Sequence, residues 1–330
     1  MNQSSEHDAS LEIGLLRTGA HGLTVEAYAE EIRERLPETP VSVAKTPRQE
    51  RELIESVPII SGPDIDEDRL REAENLRLFA CTWAGTDHLP MEALADRNVT
   101  VTNASGIHAP NIAETVLGHI LAFARGLPEA WRRTERREWR HFQVDEFAGS
   151  TVTVVGQGAI GTAVLERLSG FDVDSISIRY TPEKGGPADT VLGFDFDDLH
   201  EALSRTDYLV IASPLTETTA GLIGPEEFAT LPPDAVLVNV SRGGIVDTDA
   251  LVDALQSQHI GGAALDVTDP EPLPEDHPLW GLQNVVITPH NAGHTPEHWP
   301  RLADIVANNV SSIRETGEFT GLENQVLPDS

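Results

Sequence analysis

Gly156, Gly158 and Gly161 stand in the run Val154-Val155-Gly156-Gln157-Gly158-Ala159-Ile160-Gly161, directly after an apolar stretch that begins at Thr151. Glycines so spaced suit the pyrophosphate of a dinucleotide. They permit a tight bend and a close approach of backbone to phosphate, and the helix that follows directs its positive end at the anion. Ile160, Val164, Leu165 and Leu168 fall on one helical face, so strand, glycine turn and amphipathic helix are predicted in that order. The chemistry implied is that of a nicotinamide or flavin coenzyme.

About 20 residues beyond such a turn, an acid ordinarily holds the ribose 2′-hydroxyl of an unphosphorylated cofactor. Here the second strand is expected over 175–180 and closes on Arg179, Tyr180 and Thr181, with Lys184 shortly beyond. Thr181 stands about where the acid belongs, and the planar fork of Arg179 can pair with a 2′-phosphate. NADP(H) is therefore the expected cofactor, with NAD(H) possible and Glu183 as the substitute acid for that case.

Strands and helices alternate along the chain, which implies parallel sheets wrapped by helices. Short strands are predicted at Leu11–Leu16, Val41–Ala44, Pro58–Ile60, Leu78–Cys81 and Val99–Val101, and helices at Val25–Arg35 and Asp66–Glu74. This first series is too long to be an extension of the glycine-turn domain and needs a domain of its own. A largely helical stretch, Asn111 to Trp139, leads to a second series of strands at 151–155, 175–180, 207–211, 235–240, 261–266 and 284–288. A last helix is expected from Pro296 to Ile313, with Thr295 as N-cap and Pro296 at the first helical position, packing back on the first domain.

The chain has 330 residues, 39% of them hydrophobic, with 54 acids against 23 bases and a net charge of -31. Only Lys45 and Lys184 are lysine. The acids are spread rather than blocked, so the surface repels nucleic acid and anionic membranes, and lysine scarcity points to a salt-rich cytoplasm that screens the self-repulsion. Cys81, the one cysteine, lies in an apolar strand and reads as a core thiol, which excludes an intrachain disulfide and a thiolate metal cluster. The polar, acidic residues 1–10 do not resemble a signal peptide, and no apolar run reaches the roughly 18 residues of a membrane span, so a cytoplasmic protein is expected. His290, His294 and His298 are spaced by four, yet Gly293 and Pro296 interrupt any helix through them, and no metal site is expected there.

Downstream of the glycine turn come, in order, Ser213-Pro214-Leu215-Thr216, Asn239-Val240-Ser241-Arg242-Gly243-Gly244, Leu265-Asp266-Val267, Glu271-Pro272-Leu273 and Thr288-Pro289-His290. With Gly85-Thr86-Asp87 and the segment Asn103 to Glu114, they resemble the D-isomer-specific 2-hydroxyacid dehydrogenase family over nearly the whole chain. The resemblance implies an α/β protein of two Rossmann-like, doubly wound parallel-sheet domains with a cleft between them. Residues 1–101 and 298–330 would form the substrate domain, 102–297 the dinucleotide-binding domain, and a homodimer would form through the helices of 111–139. It implies cofactor contacts at Gly156, Gly158, Ala159, Ile160, Gly161, Arg179, Tyr180, Thr181, Ser213, Pro214, Val240, Ser241 and Asp266, the last accepting the carboxamide. Trp83, Ala84 and Gly85 would join Arg242 and His290 at the substrate, a 2-oxo or 2-hydroxy acid of the D series.

Reduction of a 2-oxo acid needs a cation for the carboxylate, a hydride donor facing the carbonyl carbon and an acid beside the carbonyl oxygen. Arg242, before a Gly-Gly turn, offers the cation in fork form. His290, at the carboxyl end of a predicted strand, suits the proton donor, and by the resemblance Glu271 is its carboxylate partner. Glyoxylate or hydroxypyruvate reductases and phosphoglycerate dehydrogenases share this set, whereas formate dehydrogenases resemble it with glutamine in place of Glu271. A dinucleotide-sensing corepressor of the same fold is the alternative from another class, disfavoured by the missing basic surface.

Overall fold

The computed structural model describes residues 11–327, which divide into two compact units, 11–107 with 294–327, and 108–293. In the first unit, strands β1 (Ile13–Leu15), β2 (Val41–Val43), β3 (Ile59–Gly62), β4 (Leu78–Cys81) and β5 (Thr100–Thr102) are joined by β13 (Gln325–Leu327) in the order β13-β5-β4-β3-β1-β2. The first five are mutually parallel. β13 pairs antiparallel with β5 at the sheet edge, where the returning chain runs the other way.

Crossover helices α1 (Val25–Arg35), α2 (Pro47–Ser56), α3 (Glu67–Glu72) and α4 (Met91–Asp96) connect these strands. Thr24, Thr46 and Asp66 cap α1, α2 and α3 by accepting a backbone N–H three residues on, which meets donors the first turn leaves free. The last helix of the chain, α11 (His298–Thr316), lies along α1 and fills the core, with Trp299 stacked on Tyr28 at 4.5 Å and Leu302, Val306 and Val310 against Ile13, Ala29 and Ile32. It starts two residues later than expected. Thr295 accepts from the Glu297 N–H in a turn ahead of the helix, Glu297 is the cap, and Pro296 therefore lies outside rather than at the first helical position.

The second unit opens with α5 (Ala109–Ala124) and α6 (Leu127–Glu135), so the predicted helical stretch is broken at Gly126, whose φ of 61° falls in the left-handed region. Its sheet comprises β6 (Thr151–Val155), β7 (Asp174–Ile178), β8 (Thr190–Leu192), β9 (Tyr208–Ile211), β10 (Val236–Asn239), β11 (Gly262–Leu265) and β12 (Val285–Ile287). All pairs are parallel, in the order β12-β11-β10-β9-β6-β7-β8, with α7 (Ala159–Leu168) after β6 and α8 (Phe196–Leu203), α9 (Pro225–Thr230) and α10 (Thr248–Gln256) among the later crossovers. The central strands are buried on both faces, which explains their near-continuous apolar sequences Tyr208-Leu209-Val210-Ile211 and Val236-Leu237-Val238. From β6 the chain winds outward through β7 and then reverses through β9, so ligands are expected outside the carboxyl ends of β6 and β9.

Candidate active site

The cofactor and catalytic residues expected in the second unit follow its strands at that carboxyl edge. Gly156 follows β6, Arg179 to Thr181 follow β7, Ser213 follows β9, Val240 to Arg242 follow β10, Asp266 follows β11 and His290 follows β12. The three glycines have distinct physical reasons. Gly156 takes φ 98°, and a Cβ there would lie 2.5 Å from the Ser213 backbone; one on Gly161 would lie 1.9 Å from the Gly156 carbonyl oxygen. These two hold strand, turn and helix in contact. A Cβ on Gly158 would meet nothing within 4 Å, so that position faces open space at the N-terminus of α7.

That opening fits a dinucleotide pyrophosphate, which would use the exposed N–H groups of the first turn beside Ala159 and the half-buried Ile160. The Ser213 hydroxyl adds a second sign of fit, being buried with no hydrogen-bond partner among the described residues. Its carbonyl accepts a short hydrogen bond from Ser241 Oγ, which ties the ends of β9 and β10 together; Pro214 follows, and its carbonyl accepts from Thr219 Oγ1 at 2.6 Å. After β7, Arg179 is half-buried with Nη1 donating to the Gly185 carbonyl at 2.6 Å. Tyr180 is exposed and shares a hydrogen bond with Thr216, while Thr181 is exposed. Arg179 is thus engaged by its own loop through one of its donors, a contact that sequence spacing could not reveal.

Asp266 has a position that the resemblance did not anticipate. Buried to 2% exposure, its Oδ1 accepts from Thr288 Oγ1 at 2.5 Å and from the Asn291 N–H at 2.8 Å, and its Oδ2 accepts from the Ala292 N–H at 2.9 Å. Its carbonyl accepts from the His290 N–H at 2.8 Å. One aspartate therefore fastens the loop that carries His290, whose φ of 50° is unusual for a non-glycine residue and is held by these bonds. Buried His119 on α5 is pushed below the ordinary imidazole pKa by desolvation, partly offset by the charge of Asp266.

His290 Nδ1 meets Glu271 Oε1 at 2.6 Å, with both side chains about half exposed. The loop bearing Glu271 is held close to that of Arg242, because a Cβ on Gly243 would lie 2.1 Å from the carbonyl carbon of Thr268. Arg242 is exposed; its Nη1 donates to the Ser241 carbonyl and its own carbonyl accepts from Asn239 Nδ2. Asn239 Oδ1 also accepts from the Ser241 N–H, so one buried amide shapes the turn on which the arginine stands.

In the first unit, Trp83, Ala84 and Gly85 follow β4 at the carboxyl edge of the other sheet. Trp83 is half-buried, packs against both apolar clusters of that unit and stacks on His21 at 5.7 Å. Asn103 donates to the Ala84 carbonyl at 2.7 Å, leaving Ala84 and Gly85 exposed on a pinned loop. The rings of His294 and His298 both lie tilted against His21, with centroids 4.2 and 4.9 Å away. Only His298 is helical, so no single helix face presents His290, His294 and His298 together. Cys81 is buried, and desolvation pushes its thiol up to about 11.

Residues 117–292 match the family model described as D-isomer specific 2-hydroxyacid dehydrogenase, NAD binding domain. The chain belongs to this dehydrogenase family. It is 37% identical over 256 residues to a glyoxylate reductase of Thermofilum pendens, covering 76% of this chain and 75% of that protein. It is 33% identical over 289 residues to a D-3-phosphoglycerate dehydrogenase of Methanocaldococcus jannaschii, covering 86% of this chain and 54% of that protein, so it spans about half the length of that relative. A solved D-isomer specific 2-hydroxyacid dehydrogenase family protein from Aeromonas salmonicida is 28% identical, with a TM-score of 0.79 over 96% of this chain and 99% of its own. The dehydrogenases of this family are oxidoreductases that act on 2-hydroxy acids, and the nicotinamide coenzyme belongs to the matched domain. Among the described residues no helix is long and apolar enough to cross a membrane.

Proposed function

We propose that this dehydrogenase reversibly reduces small 2-oxo acids to D-2-hydroxy acids and prefers NADPH to NADH. The observation that carries the reading is the 2.6 Å His290–Glu271 hydrogen bond, on the same sheet edge as Arg242 and the glycine turn. When bound, the nicotinamide supplies the hydride for the carbonyl carbon. Arg242 holds the substrate carboxylate through its fork and draws charge toward the carbonyl oxygen. The His290 imidazolium, with Nδ1–H on Glu271, gives its other proton from Nε2 to the forming alkoxide and is left neutral with Nδ1–H still on the carboxylate. In the reverse direction Nε2 takes the hydroxyl proton. Trp83 with the Ala84 and Gly85 amides is assigned to substrate contact, which makes residues 1–101 and 298–330 the substrate domain and 102–297 the cofactor domain.

The NADPH preference is supported by Thr181 in place of an acid and by Arg179 beside it. Leu127, Trp131, Trp139 and Val144, all exposed within one segment, support a homodimer formed through the region of α5 and α6. The net charge of -31 with two lysines supports a salt-tolerant enzyme of the cytoplasm. The test is oxidation of NADPH and of NADH, followed by absorbance, with glyoxylate, hydroxypyruvate, pyruvate and longer 2-oxo acids, at low and at molar potassium chloride. Turnover is expected to be lost in Arg242→Ala and in His290→Gln. A parent that binds the cofactor but turns over no 2-oxo acid would replace this reading with that of a dinucleotide sensor.

A further inference from the structure

The middle residue of the glycine turn is Gln157, and its side chain is engaged at both ends. Ser177 Oγ, fully buried on β7, donates to Gln157 Oε1 at 2.6 Å, and Gln157 Nε2 donates to the Gly185 carbonyl at 3.1 Å. The same carbonyl accepts from Arg179 Nη1 at 2.6 Å. A carbonyl oxygen carries two lone pairs and can therefore accept from the amide and the guanidinium together.

The loop after β7 is built to bring that carbonyl over the glycine turn. Lys184 N–H donates to the Thr181 carbonyl at 3.1 Å and Gly185 N–H to the Pro182 carbonyl at 2.9 Å, forming one tight turn. The chain then continues through Gly185 at φ 61° and Gly186 at φ 155°. A Cβ on Gly186 would stand 1.6 Å from Gln157 Nε2, so the loop passes directly against the amide. Ser177, Gln157, Gly185 and Arg179 form one chain of hydrogen bonds from the core of the sheet, across the pyrophosphate turn, to the residue at the ribose end.

We infer that Gln157 is a positioning residue for the choice between phosphorylated and unphosphorylated cofactor, acting through the Gly185 carbonyl on Arg179 and resting on the NADPH preference proposed above. A free arginine side chain samples many rotamers, and fixing it beforehand lowers the cost of pairing it with a phosphate. Gln157 sits on the pyrophosphate turn itself, so it sets the guanidinium in register with the part of the cofactor that both forms share. An apolar residue at 157 leaves the Gly185 carbonyl held only by Arg179, and loop and guanidinium then drift together.

The experiment is a fluorescence titration of the purified full chain with NADPH and with NADH, which needs no 2-oxo acid and no turnover. Parent, Gln157→Leu, Arg179→Ala and the double variant are compared, each verified as folded by circular dichroism. Gln157→Leu is expected to raise the NADPH Kd about tenfold, the range of one lost hydrogen-bonded contact, and the NADH Kd by less than about twofold. In the Arg179→Ala background the same change is expected to add less than about twofold, since residues acting as one unit are not additive. Ser177→Ala carries the test should the leucine variant not fold; it frees the Gln157 amide from the core of the sheet without adding charge, and is expected to weaken NADPH selectively. Equal weakening of both nucleotides, or a full NADPH effect persisting without Arg179, overturns the role of Gln157 alone. A parent with no NADPH preference and no response to Arg179→Ala overturns the cofactor reading, and this inference with it.

Discussion

Replacing Asp266 by asparagine preserves shape and removes one acceptor atom. With Oδ1 kept toward Thr288 and Asn291, the new Nδ2 must face the Ala292 N–H, two donors in a site that is 2% exposed at Asp266 and 4% at Ala292. A buried donor without an acceptor costs about 1–3 kcal/mol, and two remaining bonds that lose their charge assistance cost about 0.5–1 kcal/mol each. The sum is about 3 kcal/mol, on the order of a hundredfold in the folded-to-unfolded ratio. Urea unfolding followed by far-ultraviolet circular dichroism measures it, from the displacement of the midpoint at constant slope. The same loop holds His290 at φ 50°, so the rate of 2-oxo acid reduction should fall by at least about tenfold under conditions where the variant is fully folded. A displacement worth less than about 1 kcal/mol would refute the idea that this carboxylate is the fastening of the histidine loop.

Glu271→Gln leaves a neutral partner on His290 Nδ1 in place of a charge at 2.6 Å, and kcat for reduction should fall at least about tenfold with little change in cofactor Kd; unchanged kcat would remove Glu271 from the mechanism. Cys81, with its thiol pushed up to about 11 by burial, should not react with a disulfide reagent at pH 8 until urea unfolds the first unit, and rapid labelling of the folded chain would contradict that burial. His119 is held below the ordinary imidazole value by desolvation, so the unfolded chain binds its proton first as pH falls through 6.5, and stability should drop on that side. His119→Gln should flatten the dependence of the urea midpoint on pH between about 7.5 and 5.5, whereas parallel curves for variant and parent would show that the group carries no linkage.

The glycine turn was legible because its steric demand is local: φ 98° at Gly156 and a 1.9 Å clash at Gly161 leave only glycine. Strands β4 and β6 and helix α1 were equally plain, the strands as short apolar runs and the helix from its Thr24 cap and its apolar positions Val25, Tyr28, Ala29 and Ile32. The short strand β8 and the returning strand β13 were not, since three residues such as Thr190-Val191-Leu192 carry no period and owe their state to a neighbour already in place. The N-terminus of α11 was misplaced for a related reason: Thr295 has the chemistry of a cap but, two residues ahead of the true cap, accepts from the Glu297 N–H. At the site, the pairing of Glu271 with His290 was implied by the family resemblance, and the two side chains meet at 2.6 Å. The clamp made by Asp266 and the bond from Arg179 to Gly185 could not, because both depend on which backbone groups a tertiary fold leaves pointing at a side chain.

The last helix fills the core of a unit whose sheet, apart from the edge strand β13, is built from about the first hundred residues. During synthesis, strands β1 to β5 leave the ribosome long before Trp299, Leu302 and Val310 exist to cover them, while every strand of the second sheet is complete before α11 begins. The later-encoded unit can therefore reach its native state first, and the earlier one must wait as an open sheet. A released chain truncated after Gly293 should hold a protease-resistant fragment spanning 108–293 attached to a digestible amino-terminal third.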